Sequence, residues 1–126
     1  MKPRDQERLL AIITTIDKLT AKMTKHQIDY EKYLSDDLYK DSISMLMLTI
    51  TEHASKLSTE LKEAHGKIPW SEMTGMRNRF AHGYDGMDED LIWEAATGDI
   101  QELKKYCQEI LLPVANATKS DSPRPI

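Results

Sequence analysis

A chain of 126 residues and 14.5 kDa has the size of one domain, which argues against an enzyme built as two lobes around a cleft. Its 17 Lys and Arg against 21 Asp and Glu leave a formal net charge of −4, so nucleic acid is not held by bulk charge and any anion site must be local. Apolar residues at 40% and charged ones at 30% describe a globular chain, and no stretch is long and uncharged enough for a membrane helix.

Met1 to Asp5 leads directly into a charged amphipathic segment, without the uncharged core of a secretory signal, so the chain is expected in the cytoplasm. The lone Cys107 excludes an internal disulfide and a thiolate metal cluster, and it fits a reducing compartment. Leu and Ile dominate the apolar set, while Val114 is the sole valine and Phe80 the sole phenylalanine, a balance that favours helix over sheet.

In chain order, Leu9, Ile12, Ile13, Ile16, Leu19 and Met23 recur at steps of three and four and predict a first amphipathic helix. After Tyr30 to Ser35, Leu38, Ile43, Met47, Ile50, Ala54, Leu57 and Leu61 trace one stripe, which predicts a single long helix and the spine of a bundle. Ser35-Asp36-Asp37-Leu38 reads as the start of that helix. Gly66 and Pro69 break the pattern, and a shorter helix is expected from about Trp70 to near His82. Asp88 is the expected N-cap of a short helix ending at Thr97-Gly98. Asp99 with Glu102 resembles a capping box that opens the last helix, on whose apolar stripe Cys107 lies.

These elements predict an all-α fold, an up-and-down bundle of four to five helices, with residues 1–117 as the helical domain and 118–126 as a loose tail. Leu34, Met45, Leu46 and Leu48 lie off the main stripe of the long segment. They would widen the core or cover a partner helix, and a homodimer is expected. Trp70 and Trp93, bracketing the third helix, read as core anchors. The four histidines are scattered, with no clustered carboxylates, so neither a metal site nor a cofactor is expected.

One window carries most of the chemistry. Arg77-Asn78-Arg79-Phe80-Ala81-His82-Gly83-Tyr84 brings two guanidiniums, an amide, an imidazole and a phenol to a helix end. Arg presents a planar fork of donors matched to phosphate, and His exchanges protons near neutrality. RNA supplies its own nucleophile, so an enzyme needs only to deprotonate the 2′-OH, stabilise the charged phosphorane and protonate the leaving oxygen. On an unbroken helix, five residues at about 100° each set Arg77 and His82 about 140° apart, on different faces. Asn78 and His82 are i and i+4 neighbours, so the amide could orient the ring. Either the helix ends at His82, freed by Gly83, or the Arg and His that meet over one phosphate come from different subunits. The plain alternative is a cation near the negative end of a helix dipole beside a solvated face.

Ile68-Pro69-Trp70-x-x-Met73-x-x-Met76 followed by this window, then Asp90-Leu91-Ile92-Trp93 and Asp99-Ile100, resembles the HepT-like branch of the HEPN superfamily, the toxin half of MNT–HepT toxin–antitoxin pairs. The resemblance covers nearly the whole chain, and its specific part is Arg-x-x-x-x-His-x-Tyr, here Arg77, His82 and Tyr84. It implies a HEPN-type helical bundle that dimerises so that both motifs line one cleft, acting as a metal-independent endoribonuclease. It further implies Arg77 and His82 as catalytic and Asn78 as supporting. Tyr84 is the position that a minimal nucleotidyltransferase antitoxin adenylylates in some members. An AMP there would set a bulky anion two residues from His82 and repel an RNA phosphate. Where the family usually has an Ile-Gly-Glu-Ala-like stretch, this chain reads Ile50-Thr51-Glu52-His53, which removes a site of close helix approach. His53 reads as a surface histidine. The alternative function is a non-catalytic nucleotide- or substrate-binding partner of a nucleotidyltransferase.

Overall fold

The computed structural model describes residues 1–81 and 88–121. The first helix, α1, spans Pro3–Lys25, with Pro3 at a position that needs no backbone donor and Lys22 and Lys25 at the end where the helix dipole favours cations. Leu9, Ile12, Ile16 and Leu19 form its fully buried stripe, as the periodicity predicts. It closes in a Schellman turn: the Ile28 amide donates to the Met23 carbonyl at 3.0 Å and the Gln27 amide to the Thr24 carbonyl at 3.2 Å. Gln27 takes the left-handed conformation this closure requires, at φ 50°.

A short helix, α2, runs Tyr30–Ser35 behind its Asp29 cap, and α3 runs Asp37–Ser55 behind Asp36, whose carboxylate accepts from the Leu38 amide at 3.0 Å. The expected single helix through Leu61 is two. The first stops at Ser55, and α4, Thr59–Ala64, starts after Ser58, whose hydroxyl accepts from the Leu61 amide at 3.2 Å. The cause lies on α1. Asp5, only 4% exposed, accepts from the Ser58 amide at 2.9 Å and the Ser58 hydroxyl at 2.5 Å, which draws that backbone out of the helix. Ala54, Leu57 and Leu61 stay buried on both sides of the break, so the apolar stripe runs on unbroken. Leu38 is not on the core stripe but 74% exposed, in the first turn of α3 ahead of the first buried residue, Ile43. Of the apolar surplus, Leu46 is buried, Leu34 and Leu48 pack partly against the core, and Met45 stays exposed.

Helix α5 spans Trp70–Ala81 and α6 spans Glu89–Glu94, with Asp88 as the expected cap accepting from the Asp90 and Leu91 amides. Thr97-Gly98 does not end this segment, and Asp99 does not start a new one. A π-helical turn, Ala95–Asp99, passes straight into α7, Ile100–Asp121, with the Ile100 amide donating to the Ala95 carbonyl. Widening one turn instead of breaking keeps Ala95, Ala96 and Ile100 all buried. Thr118 to Asp121, expected in the tail, belong to α7, and the rest of that tail lies outside the described residues.

The architecture is an all-α bundle, with no strand among the described residues. Helix α3 is its spine, packed against α1 and α5, while α7 closes on α1. Trp70, Phe80 and Cys107 are buried within the one core, and Trp93 packs partly against it. Burial pushes the Cys107 thiol up to about 12, so it serves as a small apolar side chain rather than a nucleophile.

Candidate active site

Helix α5 is fixed at both ends. Trp70 is buried and its Nε1–H donates to the His65 carbonyl at 3.0 Å; Phe80 is buried at the other end. Between them Met73 and Met76 pack against the core, which turns Asn78 and Arg79 out to solvent and leaves Arg77 half-buried. The stem of Arg77 is therefore held by packing.

The Arg77 Nη1 donates to the Asn78 Oδ1 at 3.3 Å, and its Nε is buried with no hydrogen-bond partner. A buried donor without an acceptor is a standing cost, and a phosphate oxygen would remove it. The Asn78 oxygen is engaged by the guanidinium, so the N–H donors of its amide are what remain for another group. The end of α5 is the negative pole of the helix dipole, which favours cations.

Of the four residues that the sequence marks, the structure sets Arg77 and Asn78 side by side near the end of α5. His82 and Tyr84 lie outside the described residues. Thr51, at the position where the resemblance would place glycine, is buried, and its hydroxyl donates to the Leu48 carbonyl at 2.9 Å. It lines a cleft of about 250 Å³ between α3, α5 and α7, together with Met47, Met73 and Met76. Glu72 and Glu102 also line that cleft, and their charges make it unsuited to phosphate.

His53 is not a surface histidine but half-buried, and its Nδ1 has no partner. Burial, and then the charges of Arg8 and Lys56, hold its pKa below the ordinary range, against a weaker opposing pull from Glu52. Its neighbours are set by the α1–α3 packing and could not be read from spacing along one helix. Among the described residues no group of three or more His, Cys, Asp or Glu is placed to hold a metal, and no helix is long and apolar enough to cross a membrane.

Comparison with known proteins gives a consistent result. Residues 9–110 match the family described as Ribonuclease HepT-like. A protein of Caldanaerobacter subterraneus subsp. tengcongensis that carries a provisional RNase name is 34% identical over 84 residues, which is 67% of this chain and 75% of that one. A Methanocaldococcus jannaschii protein with the same kind of name is 31% identical over 67% of this chain and 72% of its own. A Thermococcus cleftensis protein, provisionally a ribonuclease HepT, is 31% identical over 62% of this chain and 71% of its own. No solved structure matches the chain.

Proposed function

This chain belongs to the HepT-like ribonuclease family, and we propose that it is an endoribonuclease that cuts RNA without a metal ion. The observation that carries this reading is the half-buried Arg77, its Nε unpaired, on the helix that leads directly to His82. In the reaction the 2′-oxygen attacks phosphorus, the bond from phosphorus to the 5′-oxygen breaks, and the 2′ proton passes to a base while the leaving oxygen receives a proton from an acid. His82 takes one of these roles, and its counterpart in a second copy takes the other, in a homodimer whose two motifs share a cleft. Arg77 holds the non-bridging oxygens as charge builds on them, and Asn78 supports it. The products carry 2′,3′-cyclic phosphate and 5′-hydroxyl ends.

The biological setting that suits this chemistry is a cytoplasmic toxin paired with a minimal nucleotidyltransferase antitoxin. Transfer of AMP to the Tyr84 hydroxyl would fill the cleft with a bulky anion. A second reading, a non-catalytic nucleotide- or substrate-binding partner of a nucleotidyltransferase, draws support from the net charge of −4, which opposes the approach of RNA.

Incubating the purified chain with total RNA separates the two. Cleavage should survive EDTA and leave cyclic phosphate ends, His82→Ala should lower the rate by about 10²–10⁴-fold, and Arg77→Ala by about 10²–10³-fold. Unchanged cleavage by His82→Ala refutes the assignment. Intact mass after co-expression with such a nucleotidyltransferase tests Tyr84: Tyr84→Phe should abolish an AMP adduct.

A further inference from the structure

The cleft of about 250 Å³ between α3, α5 and α7 is a gap in the bundle. Helix α5 packs on α3 and α7 packs on α1, while α5 and α7 make little direct contact with each other. The floor is Met47 and Ile50 of α3, and the walls are Met73 and Met76 of α5 and Leu103 and Tyr106 of α7. Met73, Met76 and Tyr106 are only partly buried, so part of this apolar lining faces solvent. The walls run over residues 69–76 and 99–106. Each is therefore about 10 Å long, or about two helical turns.

The rim of the cleft has one sign of charge. Glu72 stands on one wall and Asp99 and Glu102 on the other, all three exposed, and no Lys, Arg or His is among the lining residues. The ion pairs of the described residues, Lys2 with Glu60, Lys40 with Glu89 and Lys104 with Asp17, use none of these carboxylates. Lys67, Arg77, Lys104 and Lys105, the cations nearest to the walls in sequence, do not line the cleft. An apolar groove with an acidic rim is not self-complementary. A two-fold contact centred on it would set the carboxylates of one copy against those of its mate, which disfavours a second copy as the occupant.

We propose that this cleft takes an amphipathic cationic helix of a partner protein, whose apolar residues enter between α5 and α7 and whose Lys and Arg side chains meet Glu72, Asp99 and Glu102. Two turns of wall match apolar anchors at i, i+3 or i+4, and i+7 of the incoming helix. Methionine suits such a surface, because its unbranched thioether chain adapts to the anchor it meets. The acidic rim repels acidic segments and fixes the register of a basic one. Docking here does not depend on RNA cleavage, and no residue of the cleft has a part in that reaction.

The test is an amide-shift titration of the full chain by NMR with a synthetic peptide of two Leu-Lys-Lys-Leu-Leu-Lys-Leu repeats. The same peptide with Glu in place of Lys, and one with Ser in place of Leu, are the controls. Saturable shifts confined to residues 69–76, 99–106 and the facing part of α3 are expected with the first peptide alone. Glu72→Lys combined with Glu102→Lys should weaken binding by at least about tenfold, with helical content retained by circular dichroism. Glu72→Gln combined with Glu102→Gln should weaken it in the same direction by a smaller factor. Glu7→Lys combined with Glu31→Lys, the same change of net charge at exposed positions of α1 and α2, should leave the affinity unchanged. Equal binding of either control peptide overturns the proposal. So does equal weakening by the two lysine pairs, which would reduce the effect to net charge, and so do shifts that map elsewhere or do not saturate. If dilution of the chain without peptide moves the same amides, the occupant is a second copy and the proposal fails.

Discussion

Asp5 acts on the fold from far away in sequence. It is buried on α1, yet its two oxygens hold the amide and hydroxyl of Ser58 and so fix where α4 begins. Replacing it with Ala removes both acceptors and leaves buried donors unpaired, so Asp5→Ala should lower stability by about 2–3 kcal/mol, read as a shift in the urea midpoint. A change below about 0.5 kcal/mol would show that water replaces the carboxylate freely. His53 gives a second residue-scale expectation. Its folded pKa lies below the ordinary 6.5, so above that pH it is neutral in both states and contributes nothing. As pH falls below 6.5 the unfolded chain takes up a proton that the folded chain resists, and stability is lost. His53→Gln should flatten that acid limb in denaturation curves compared at about pH 7.5 and 5.5; an unchanged slope would locate the effect elsewhere. Neither residue is legible in the sequence as it acts here, because the partners of Asp5 and His53 come from other helices. Arg77 was legible, because its setting is a local run of residue types.

At the scale of elements, the helix stripes were readable and several of their ends were not. Asp36 and Asp88 announce their helices because a cap and its amides are neighbours in sequence. The break between α3 and α4 has a local mark in the Ser58 cap, but Leu57 and Leu61 continue the apolar stripe in phase across it, and the carboxylate that holds Ser58 out of the helix comes from α1. The turn at Ala95–Asp99 hides for the opposite reason, since Thr97-Gly98 looks like a stop while burial of Ala95, Ala96 and Ile100 rewards a wider turn. The end of α1 offers a clean test. Gln27 holds at φ 50° a conformation that costs an L side chain about 1 kcal/mol and glycine almost nothing. Gln27→Gly should therefore raise stability by up to about 1 kcal/mol, or about 4 °C in thermal midpoint. A lower midpoint would mean that the flexibility glycine adds to the unfolded chain outweighs the relief.

For the whole molecule, the bundle follows from composition and periodicity, whereas a dimer cannot be read from the contacts of one copy. Leu38 and Met45, seven residues apart on α3 with Asp41 and Ser42 between them, are exposed apolar side chains that a second copy would cover in the proposed homodimer. The proposed chemistry makes that second copy a catalytic matter, because the sequence spacing of Arg77 and His82 would set them about 140° apart on a continuous helix, where they meet over one phosphate only if the helix ends or the subunits share. Mixing Arg77→Ala with His82→Ala decides between these. In a shared site, the cleft of each mixed dimer keeps one Arg77 from one copy and one His82 from the other, whereas each variant alone lacks both copies of one group. Random pairing makes about half of the dimers mixed, so cleavage should rise above that of either variant and stay below half of wild type, because each mixed cleft still lacks one of its two His82 rings. If each copy works alone, every cleft in the mixture lacks one group and cleavage stays at the level of the single variants. The readout is the initial rate on a defined RNA after the variants are mixed and allowed to exchange, with exchange checked by mass spectrometry of differently tagged copies. Recovery that also falls as the mixture is diluted ties the activity to the dimer, while recovery absent at every concentration returns the reaction to a single chain whose helix must open at His82.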